Sequence, residues 1–245
     1  MAGILLSLLE FVAPRHCSVC GRRLMPDEKA LCTRCLMDID LSVYADGKEG
    51  NTLERAFWLQ LPIVRAAAFM TYSREDSEHR MVLEMKYHNK PDIGFHLGKL
   101  MSHQLKANGF FSGVDAIIPM PIPLDKRMQR GYNQSEQLAR GISLTTGIPI
   151  ISNAIKRLHY KTSQTHLTAT ERKENVKNTF RLRRGMTDKL RGKHLLLVDD
   201  VITSTSSMLE FGRTLCQIPD IKVSVLALAV SKNLIRNIRR INPVG

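Results

Sequence analysis

The chain contains four dense apolar runs of strand length, separated by stretches with helical character. The runs cover residues 64–72, 114–122, 194–201 and 223–230, and the helical stretches lie near 75–88, 92–107, 133–146 and 206–217. Strands that are apolar along their whole length are buried on both faces, which is typical of parallel sheets covered by helices. The alternation therefore predicts an α/β fold with a mostly parallel sheet and flanking helices.

Two cysteine pairs near the N-terminus have the spacing of metal ligands. Cys17 and Cys20 form the first pair, Cys32 and Cys35 form the second, and eleven residues separate them. Two such pairs suit tetrahedral Zn²⁺, and four thiolate ligands leave no open position for chemistry. We therefore predict a small structural zinc ribbon. An iron site is the alternative, whereas a disulfide reading is poor for a cytoplasmic chain.

The rest of the sequence divides the chain into two parts. Residues 1–45 hold a short helix and the cysteine module, and residues 60–235 hold the α/β domain. Residues 44–51 have the composition of a loop, so we predict a polar linker that extends to about residue 60. The apolar stretch 3–14 is too short to span a membrane. It fits a helix packed on the protein, with a peripheral membrane contact as the alternative, and we expect a cytoplasmic protein without a transmembrane segment.

The formal net charge of the chain is +13, which predicts an anionic partner such as a polyphosphate, a nucleic acid or a membrane surface. Residues 124–194 hold sixteen lysine and arginine residues against five acidic ones. A solvated basic face is the ordinary explanation, but the one-sided sign favours contact with phosphate or nucleic acid. The candidate nucleic-acid-binding residues are Arg22 and Arg23 in the cysteine module, and Arg183 and Arg184.

The segment "LLLVDDVITSTSS" (195–207) places two carboxylates where a buried strand ends. Open α/β sheets bind ligands at the carboxyl ends of their strands, and a hydroxyl-rich turn before a helix can hold a phosphate. A ribose 5-phosphate suits both features, with its hydroxyls on Asp199 and Asp200. Its phosphate would lie on Thr203, Ser204, Thr205, Ser206 and Ser207. An ordinary helix cap and an acidic Mg²⁺ pocket are the alternatives.

This segment resembles the diphosphate-sugar signature of type I phosphoribosyltransferases. With "IIPMPIP" (117–123), "RMQRGYNQSEQLAR" (127–140), "KRLHYKTSQTHLTATERKENVKNTF" (156–180) and the cysteine module, the chain resembles the ComF/GntX family over nearly its whole length. Proteins of that family are phosphoribosyltransferase-like and are associated with natural competence and the use of external DNA. The resemblance implies a type I phosphoribosyltransferase-like sheet, with a mobile hood formed by the segment before the signature strand.

The resemblance also implies phosphoribosyl diphosphate as a ligand, with Mg²⁺ bound to its diphosphate. Asp199 and Asp200 would be the catalytic acids, acting by positioning and electrostatics. Arg130 would contact the diphosphate. Asn133 and Gln134 could either contact the ligand or cap the following helix.

The turn departs from the family at Thr205, where relatives usually have glycine. A β-branched side chain costs energy if that position needs a positive φ, so we expect either a turn of different shape or a weakened phosphate site. Some relatives that act on purines have an aspartate base at the position of Thr203. Its absence here leaves no evident general base and gives no indication of the acceptor.

Two functions are consistent with these features. The favoured one is a ComF-type protein that binds phosphoribosyl diphosphate and single-stranded DNA during DNA uptake or the use of external DNA. Its further partners would be other competence proteins, and unpaired bases would stack on aromatic residues such as Tyr132, Tyr160 or Phe180. The alternative is an active phosphoribosyltransferase in nucleotide or base salvage.

Overall fold

Four parallel strands form the central sheet of the protein. The structure is a computed structural model that describes residues 14–73, 75, 77–87, 90–158 and 179–241. The strands are β1 (Ile63–Tyr72), β2 (Ala116–Pro119), β5 (His194–Ile202) and β6 (Lys222–Ser231), in the spatial order β1-β6-β5-β2. Each neighbouring pair is parallel. A separate antiparallel pair consists of β3 (Ile155–Arg157) and β4 (Phe180–Leu182).

Nine helices lie within the described residues. They are α1 (Thr33–Met37), α2 (Thr52–Arg55), α3 (Ser77–Tyr87), α4 (Pro91–Lys106), α5 (Leu124–Arg130), α6 (Gln134–Thr146), α7 (Met186–Leu190), α8 (Ser206–Leu215) and α9 (Lys232–Ile241). Helices α3, α4, α6 and α8 correspond to the four predicted helical stretches. The α/β fold, with its parallel sheet, flanking helices and N-terminal four-cysteine cluster, is confirmed.

Alternate side chains of each central strand are buried on opposite faces of the sheet. In β5, Leu195 and Leu197 belong to one hydrophobic cluster, whereas Leu196 and Val198 belong to the other. Helices α8 and α9 contribute to the first cluster, and α4 and α6 contribute to the second. Because both faces are covered, the strand is apolar at every position from Leu195 to Val198, directly before the acids.

Strand β2 is shorter than predicted, because prolines interrupt the apolar run. The prediction covered residues 114–122, but the strand ends at Pro119, and Pro121 and Pro123 follow it. Proline has no backbone N–H to donate to a ladder, so it ends the pairing with β5. The chain then turns into α5, which starts at Leu124 and was not anticipated from the sequence.

Glycines allow α4 and α6 to lie unusually close together. A Cβ atom at Gly98 would lie 2.2 Å from the carbonyl oxygen of Leu138, and one at Gly141 would lie 2.1 Å from that of Phe95. Both contacts are with backbone atoms, which cannot move aside without separating the helices. The close packing holds the first turn of α6 at the carboxyl edge of the sheet.

The cysteine module packs against the α/β domain. Cys17, Leu24 and Leu31 share a hydrophobic cluster with Leu97 and Met101 of α4. The predicted division into residues 1–45 and 60–235 stays a prediction. The predicted helix over 3–14 and most of the predicted hood lie outside the described residues.

The segment predicted as a polar linker is instead packed on the sheet. Phe57 is fully buried, and Glu54 is only 2% exposed. The Glu54 carboxylate accepts hydrogen bonds from the backbone N–H groups of Gly50 and Ala66, at 2.6 and 3.2 Å. Arg65 lies 3.8 Å from it. These partners offset the cost of burying a charge, which a composition-based linker prediction does not consider.

None of the helices in the described part of the chain has the length and apolar character needed to cross a membrane.

Candidate functional site

A cleft of about 160 Å³ lies at the carboxyl end of β5. Its polar lining combines carboxylates, hydroxyl groups and cations. The lining residues of these three kinds are Asp199 and Asp200, then Ser135, Thr203, Ser204 and Ser207, then Lys86, Lys126, Arg130 and Arg157. The structure thus brings together most residues of the predicted ribose-phosphate site. Of that predicted set, Thr205 and Ser206 do not line the cleft.

The two carboxylates are held by different neighbours. The Asp199 carboxylate accepts hydrogen bonds from the Ser135 hydroxyl at 3.1 Å and from the backbone N–H of Asp200 at 2.8 Å. The Asp200 carboxylate accepts from the backbone N–H of Val201 at 2.7 Å and lies 2.9 Å from the Lys86 ammonium. Helices α6 and α3, which carry Ser135 and Lys86, therefore fix the orientation of the acid pair.

The environment of Asp199 favours its protonated form. Burial, followed by the adjacent charge of Asp200, raises the pKa of Asp199 to about 7. The backbone N–H of Asp200, the charge of Lys86 and the Ser135 hydroxyl oppose this shift. Near neutral pH the Asp199 carboxyl can therefore either donate or accept a hydrogen bond, and it can exchange a proton with a ligand.

Arg130 is held in place by two contacts beside the cleft. Its guanidinium donates a hydrogen bond to the Gln134 side-chain oxygen at 3.0 Å and lies 5.2 Å from the ring centroid of Tyr87. Arg130 Nε and Gln134 Nε2 are buried and have no hydrogen-bond partner among the described residues. Gln134 is 1% exposed, so its side chain supports Arg130 and does not face the cleft.

Sequence reasoning did not assign site roles to Lys86, Lys126, Arg157 or Ser135. Arg157 reaches the cleft from β3, and its guanidinium lies 5.3 Å from the ring centroid of Phe180. Burial lowers the pKa of Arg157, while the charges of Asp199 and Asp125 oppose that shift. Ser135 and Arg157 lie in segments that resemble the family, which was the available signal, but their convergence on Asp199 and Asp200 depends on the tertiary fold.

The hydroxyl turn adopts an ordinary backbone conformation at Thr205. Its φ and ψ are −73° and −15°, in the right-handed region that any residue adopts. The steric cost of the threonine is therefore absent, and of the two alternatives the structure fits a turn that does not need a positive φ at this position. Thr205 is the N-cap residue of α8, but its side chain makes no capping hydrogen bond.

Asn133 is a structural residue at the start of α6. Its side-chain oxygen accepts a hydrogen bond from the backbone N–H of Ser135 at 3.1 Å, and its amide donates to the Met120 carbonyl at 2.9 Å. This capping arrangement connects α6 to the end of β2 and places Ser135 beside Asp199. Of the two roles left open for Asn133, the structure therefore shows capping.

The four cysteines of the N-terminal module form a tight cluster. The sulfur atoms of Cys17, Cys20, Cys32 and Cys35 all lie within 4.8 Å of one another. The Cys20 and Cys32 sulfurs are 3.7 Å apart. Tetrahedral zinc with Zn–S bonds of 2.3 Å separates its ligand sulfurs by about 3.8 Å. The cluster can therefore hold a metal ion such as zinc.

Glu28 connects the two halves of the cysteine module. Its carboxylate accepts hydrogen bonds from the backbone N–H groups of Met25 and Thr33 and from the Arg22 guanidinium, at 2.8, 2.7 and 2.6 Å. These donors, led by the backbone groups, lower the pKa of Glu28 to about 2. Arg22 is thus an ion-pair partner within the module, and its side chain is 46% exposed.

The candidate nucleic-acid-binding residues Arg23, Arg183 and Arg184 are exposed. Two of the proposed stacking residues are not accessible to a base. Tyr132 is 8% exposed and donates its hydroxyl proton to the Met85 carbonyl, and Phe180 is 6% exposed. The predicted stacking on these two rings is therefore wrong.

Tyr160, the third proposed stacking residue, lies outside the described residues. Among the exposed large hydrophobic side chains of the described part of the chain, the aromatic ones are Trp58, at 47%, and Tyr87, at 55%.

The chain is similar to curated proteins connected with DNA. Competence protein F of Haemophilus influenzae is 34% identical over 128 residues, covering 52% of this chain and 53% of that protein. The match therefore spans about half the length of that relative. The DNA utilization protein YhgH of Escherichia coli K12 is 28% identical over 202 residues, covering 81% of this chain and 83% of the relative. The similarities confirm the resemblance to the ComF family. No protein-family model matches the chain.

Comparison with solved structures gives partial matches. The glutamine phosphoribosylpyrophosphate amidotransferase of B. subtilis has a TM-score of 0.38 and 17% identity, and the match covers 58% of this chain and 30% of that one. A hypothetical protein from Neisseria gonorrhoeae with bound ppGpp has a TM-score of 0.32 and 19% identity, with coverage of 55% and 66%.

We expect one zinc ion per chain, held by Cys17, Cys20, Cys32 and Cys35. Cys32→Ser should release the metal and unfold the module, because metal binding contributes the folding free energy of such small sites. Elemental analysis and thiol titration measure this, with Cys216→Ser, outside the cluster, as the matched control. Absence of zinc from the wild-type protein, with all four thiols freely titratable, would contradict the prediction.

The raised pKa of Asp199 predicts how stability depends on pH. The folded state favours the protonated carboxyl, so this contribution to stability is present below the ordinary pKa of 3.8 and is lost as the pH rises through about 7. Asp199→Asn removes the loss. The free energy of unfolding of the Asp199→Asn variant, minus that of the wild-type protein, should therefore rise between pH 3.8 and about 7. Urea titrations at several pH values measure this difference. A difference that is independent of pH would show that the pKa is not raised.

Proposed function

We propose that this chain, which belongs to the ComF family, binds phosphoribosyl diphosphate in the cleft and single-stranded DNA on its basic surface. It would act in the cytoplasm in natural competence, through DNA uptake or the use of external DNA, together with other competence proteins. The names of its relatives, competence protein F and DNA utilization protein YhgH, support this role. The observation that carries the proposal is the cleft in which the acid pair, the hydroxyl turn and four cations meet.

The chemistry of the cleft suits a sugar phosphate better than either a metal ion or a simple anion. Two carboxylates alone would repel a phosphate, but four cationic side chains line the same cleft. A phosphorylated ribose satisfies both kinds of group, because its hydroxyls donate to carboxylates while its phosphates accept from cations and hydroxyls. Asp199 and Asp200 would hold the ribose hydroxyls, and the turn from Thr203 to Ser207 would hold the 5-phosphate.

Lys86 connects the two halves of the proposed ligand site. Its ammonium lies 2.9 Å from an Asp200 oxygen that a ribose hydroxyl would otherwise contact. A bound hydroxyl would take over this oxygen, and Lys86 could then contact the diphosphate beside Arg130. Mg²⁺, bound to the diphosphate, would supply further positive charge to the leaving group.

The arginines of the proposed DNA surface do not line the cleft. Arg183 and Arg184 follow β4 and are exposed, and Arg23 is exposed on the cysteine module. Helix α9 adds exposed arginines at positions 236, 239 and 240, and it contains no acidic residue. Such surfaces bind the phosphate backbone without reading its sequence.

The alternative is an active phosphoribosyltransferase in nucleotide or base salvage. Two observations favour retained catalysis. The pKa of Asp199 is raised to about 7, which allows this carboxyl to exchange a proton near neutral pH. The backbone at Thr205 is relaxed, so the departure from glycine does not by itself distort the turn.

We expect the combined Asp199→Asn and Asp200→Asn variant to bind phosphoribosyl diphosphate at least tenfold more weakly. Asp200→Asn replaces a charged acceptor for a ribose hydroxyl, and hydrogen bonds to charged groups contribute about 1.5–3 kcal/mol each. Asp199→Asn replaces a second acceptor, which carries only part of its charge near neutral pH. Inorganic phosphate should still bind the turn. Calorimetric titration of each ligand in the presence of Mg²⁺ measures both affinities. Asp188→Asn on α7 is the matched control. Unchanged binding of phosphoribosyl diphosphate to the double variant would refute the ribose-phosphate site.

We expect binding of single-stranded DNA to weaken strongly as the salt concentration rises. Replacing Arg183 and Arg184 together with alanine should reduce the slope of log K against log salt by about 1.4, or 0.7 per phosphate contact, without changing sequence preference. Replacement of the exposed Lys48 and Lys106 is the control. Fluorescence anisotropy at several salt concentrations measures the slope. An affinity that does not depend on salt would contradict the proposed basic surface.

A further inference from the structure

We propose that Tyr87 is a stacking platform for an unpaired nucleobase at the mouth of the cleft. The inference rests on the proposed function, because it assumes that the cleft itself holds a ribose phosphate. The geometry that carries it is the exposed ring of Tyr87, which lies against the guanidinium of the cleft residue Arg130 and directly follows the cleft residue Lys86 in α3.

The ring of Tyr87 is available for stacking. The residue is 55% exposed, whereas Tyr132 and Phe180 are 8% and 6% exposed. Exposure of an aromatic ring leaves apolar surface in water, which stacking against a base would cover. Single-stranded nucleic acids are commonly bound by rings of this kind, because every base has a π-face.

The neighbours of Tyr87 in the chain and in space place this residue next to the cleft. Lys86, the preceding residue in α3, reaches the Asp200 carboxylate at 2.9 Å. The Arg130 guanidinium lies 5.2 Å from the centroid of the Tyr87 ring, and Gln134 holds that guanidinium by a 3.0 Å hydrogen bond. The ring therefore rests against a fixed cation.

The size of the cleft explains why a base would lie outside it. At about 160 Å³ the cleft is smaller than ordinary ligand pockets, which have volumes of roughly 300–1,000 Å³. If a nucleotide placed its sugar on Asp199 and Asp200 and its phosphate on the hydroxyl turn, its base would project to the mouth of the cleft. Tyr87 supplies an aromatic surface at that position.

The base could come from a free 5′-ribonucleotide, which presents a 5′-phosphate, a base and both ribose hydroxyls. It could also come from the 5′-phosphorylated end of a DNA strand, which shares only the phosphate and the base, because deoxyribose lacks the 2′-hydroxyl and the 3′-oxygen is esterified. Trp58 provides a matched comparison. Its ring is 47% exposed and has the Arg55 guanidinium 5.7 Å from its centroid, but Arg55, unlike Arg130, does not line the cleft. The Tyr87–Arg130 and Trp58–Arg55 pairs are therefore similar in chemistry and differ in their position relative to the cleft.

The test compares Tyr87→Ala, Tyr87→Phe and Trp58→Ala with the wild-type full-length protein. The probes are ribose 5-phosphate, adenosine 5′-monophosphate and a 5′-phosphorylated oligothymidine. We expect Tyr87→Ala to weaken adenosine 5′-monophosphate at least fivefold and to leave ribose 5-phosphate unchanged. Tyr87→Phe should retain wild-type affinity, and Trp58→Ala should have no effect on adenosine 5′-monophosphate.

The oligothymidine identifies the source of the base. If the platform takes the end of a DNA strand, Tyr87→Ala also weakens oligothymidine, and ribose 5-phosphate competes with it. If only adenosine 5′-monophosphate is affected, the platform serves a free nucleotide. Either result supports the platform.

Other results overturn the platform or the cleft separately. The platform is refuted if Tyr87→Ala leaves both base-containing probes unchanged, or if it weakens ribose 5-phosphate equally, because Tyr87 would then only support Arg130. If the wild-type protein does not bind ribose 5-phosphate, the proposed ribose-phosphate cleft fails. The platform then stands only if Tyr87→Ala weakens oligothymidine while Trp58→Ala does not.

Discussion

Burial of β5 on both faces is the constraint that positions every part of the candidate site. The strand pairs with β2 on one side and β6 on the other, and residues 195–198 are fully buried. A shift of one residue would exchange its side chains between the two hydrophobic clusters. The register therefore fixes where the apolar run ends and where Asp199 and Asp200 begin. Helices α3 and α6 then supply Lys86 and Ser135 to this fixed pair.

A continuous set of contacts connects the cysteine module with this edge of the sheet. Cys17 and Leu24 pack in the same cluster as Leu97 of α4. Helix α4 in turn lies against α6 through Gly98 and Gly141, and α6 brings Ser135 to Asp199. The module is therefore part of the scaffold behind the cleft, in addition to presenting basic residues.

The sequence was sufficient to predict features that depend on local patterns. The apolar runs identified the four sheet strands, and the cysteine spacing identified the cluster of four sulfurs. Features that require distant segments of the chain to meet were not predictable. Lys86, Ser135 and Arg157 come from separate segments, and only the fold brings them to one cleft. Burial of the Tyr132 and Phe180 rings was likewise misjudged, because composition does not determine which aromatic residues are buried. The φ of Thr205 was left open, because the family pattern alone does not determine it.

The most direct test of the central claim is a crystal structure of the protein with ribose 5-phosphate. The account predicts that the phosphate lies within hydrogen-bonding distance of the turn from Thr203 to Ser207. It also predicts that the ribose hydroxyls donate to Asp199 and Asp200, with Lys86 displaced from the Asp200 oxygen. A structure in which the Lys86–Asp200 ion pair is intact and the sugar phosphate lies elsewhere on the basic surface would contradict the account.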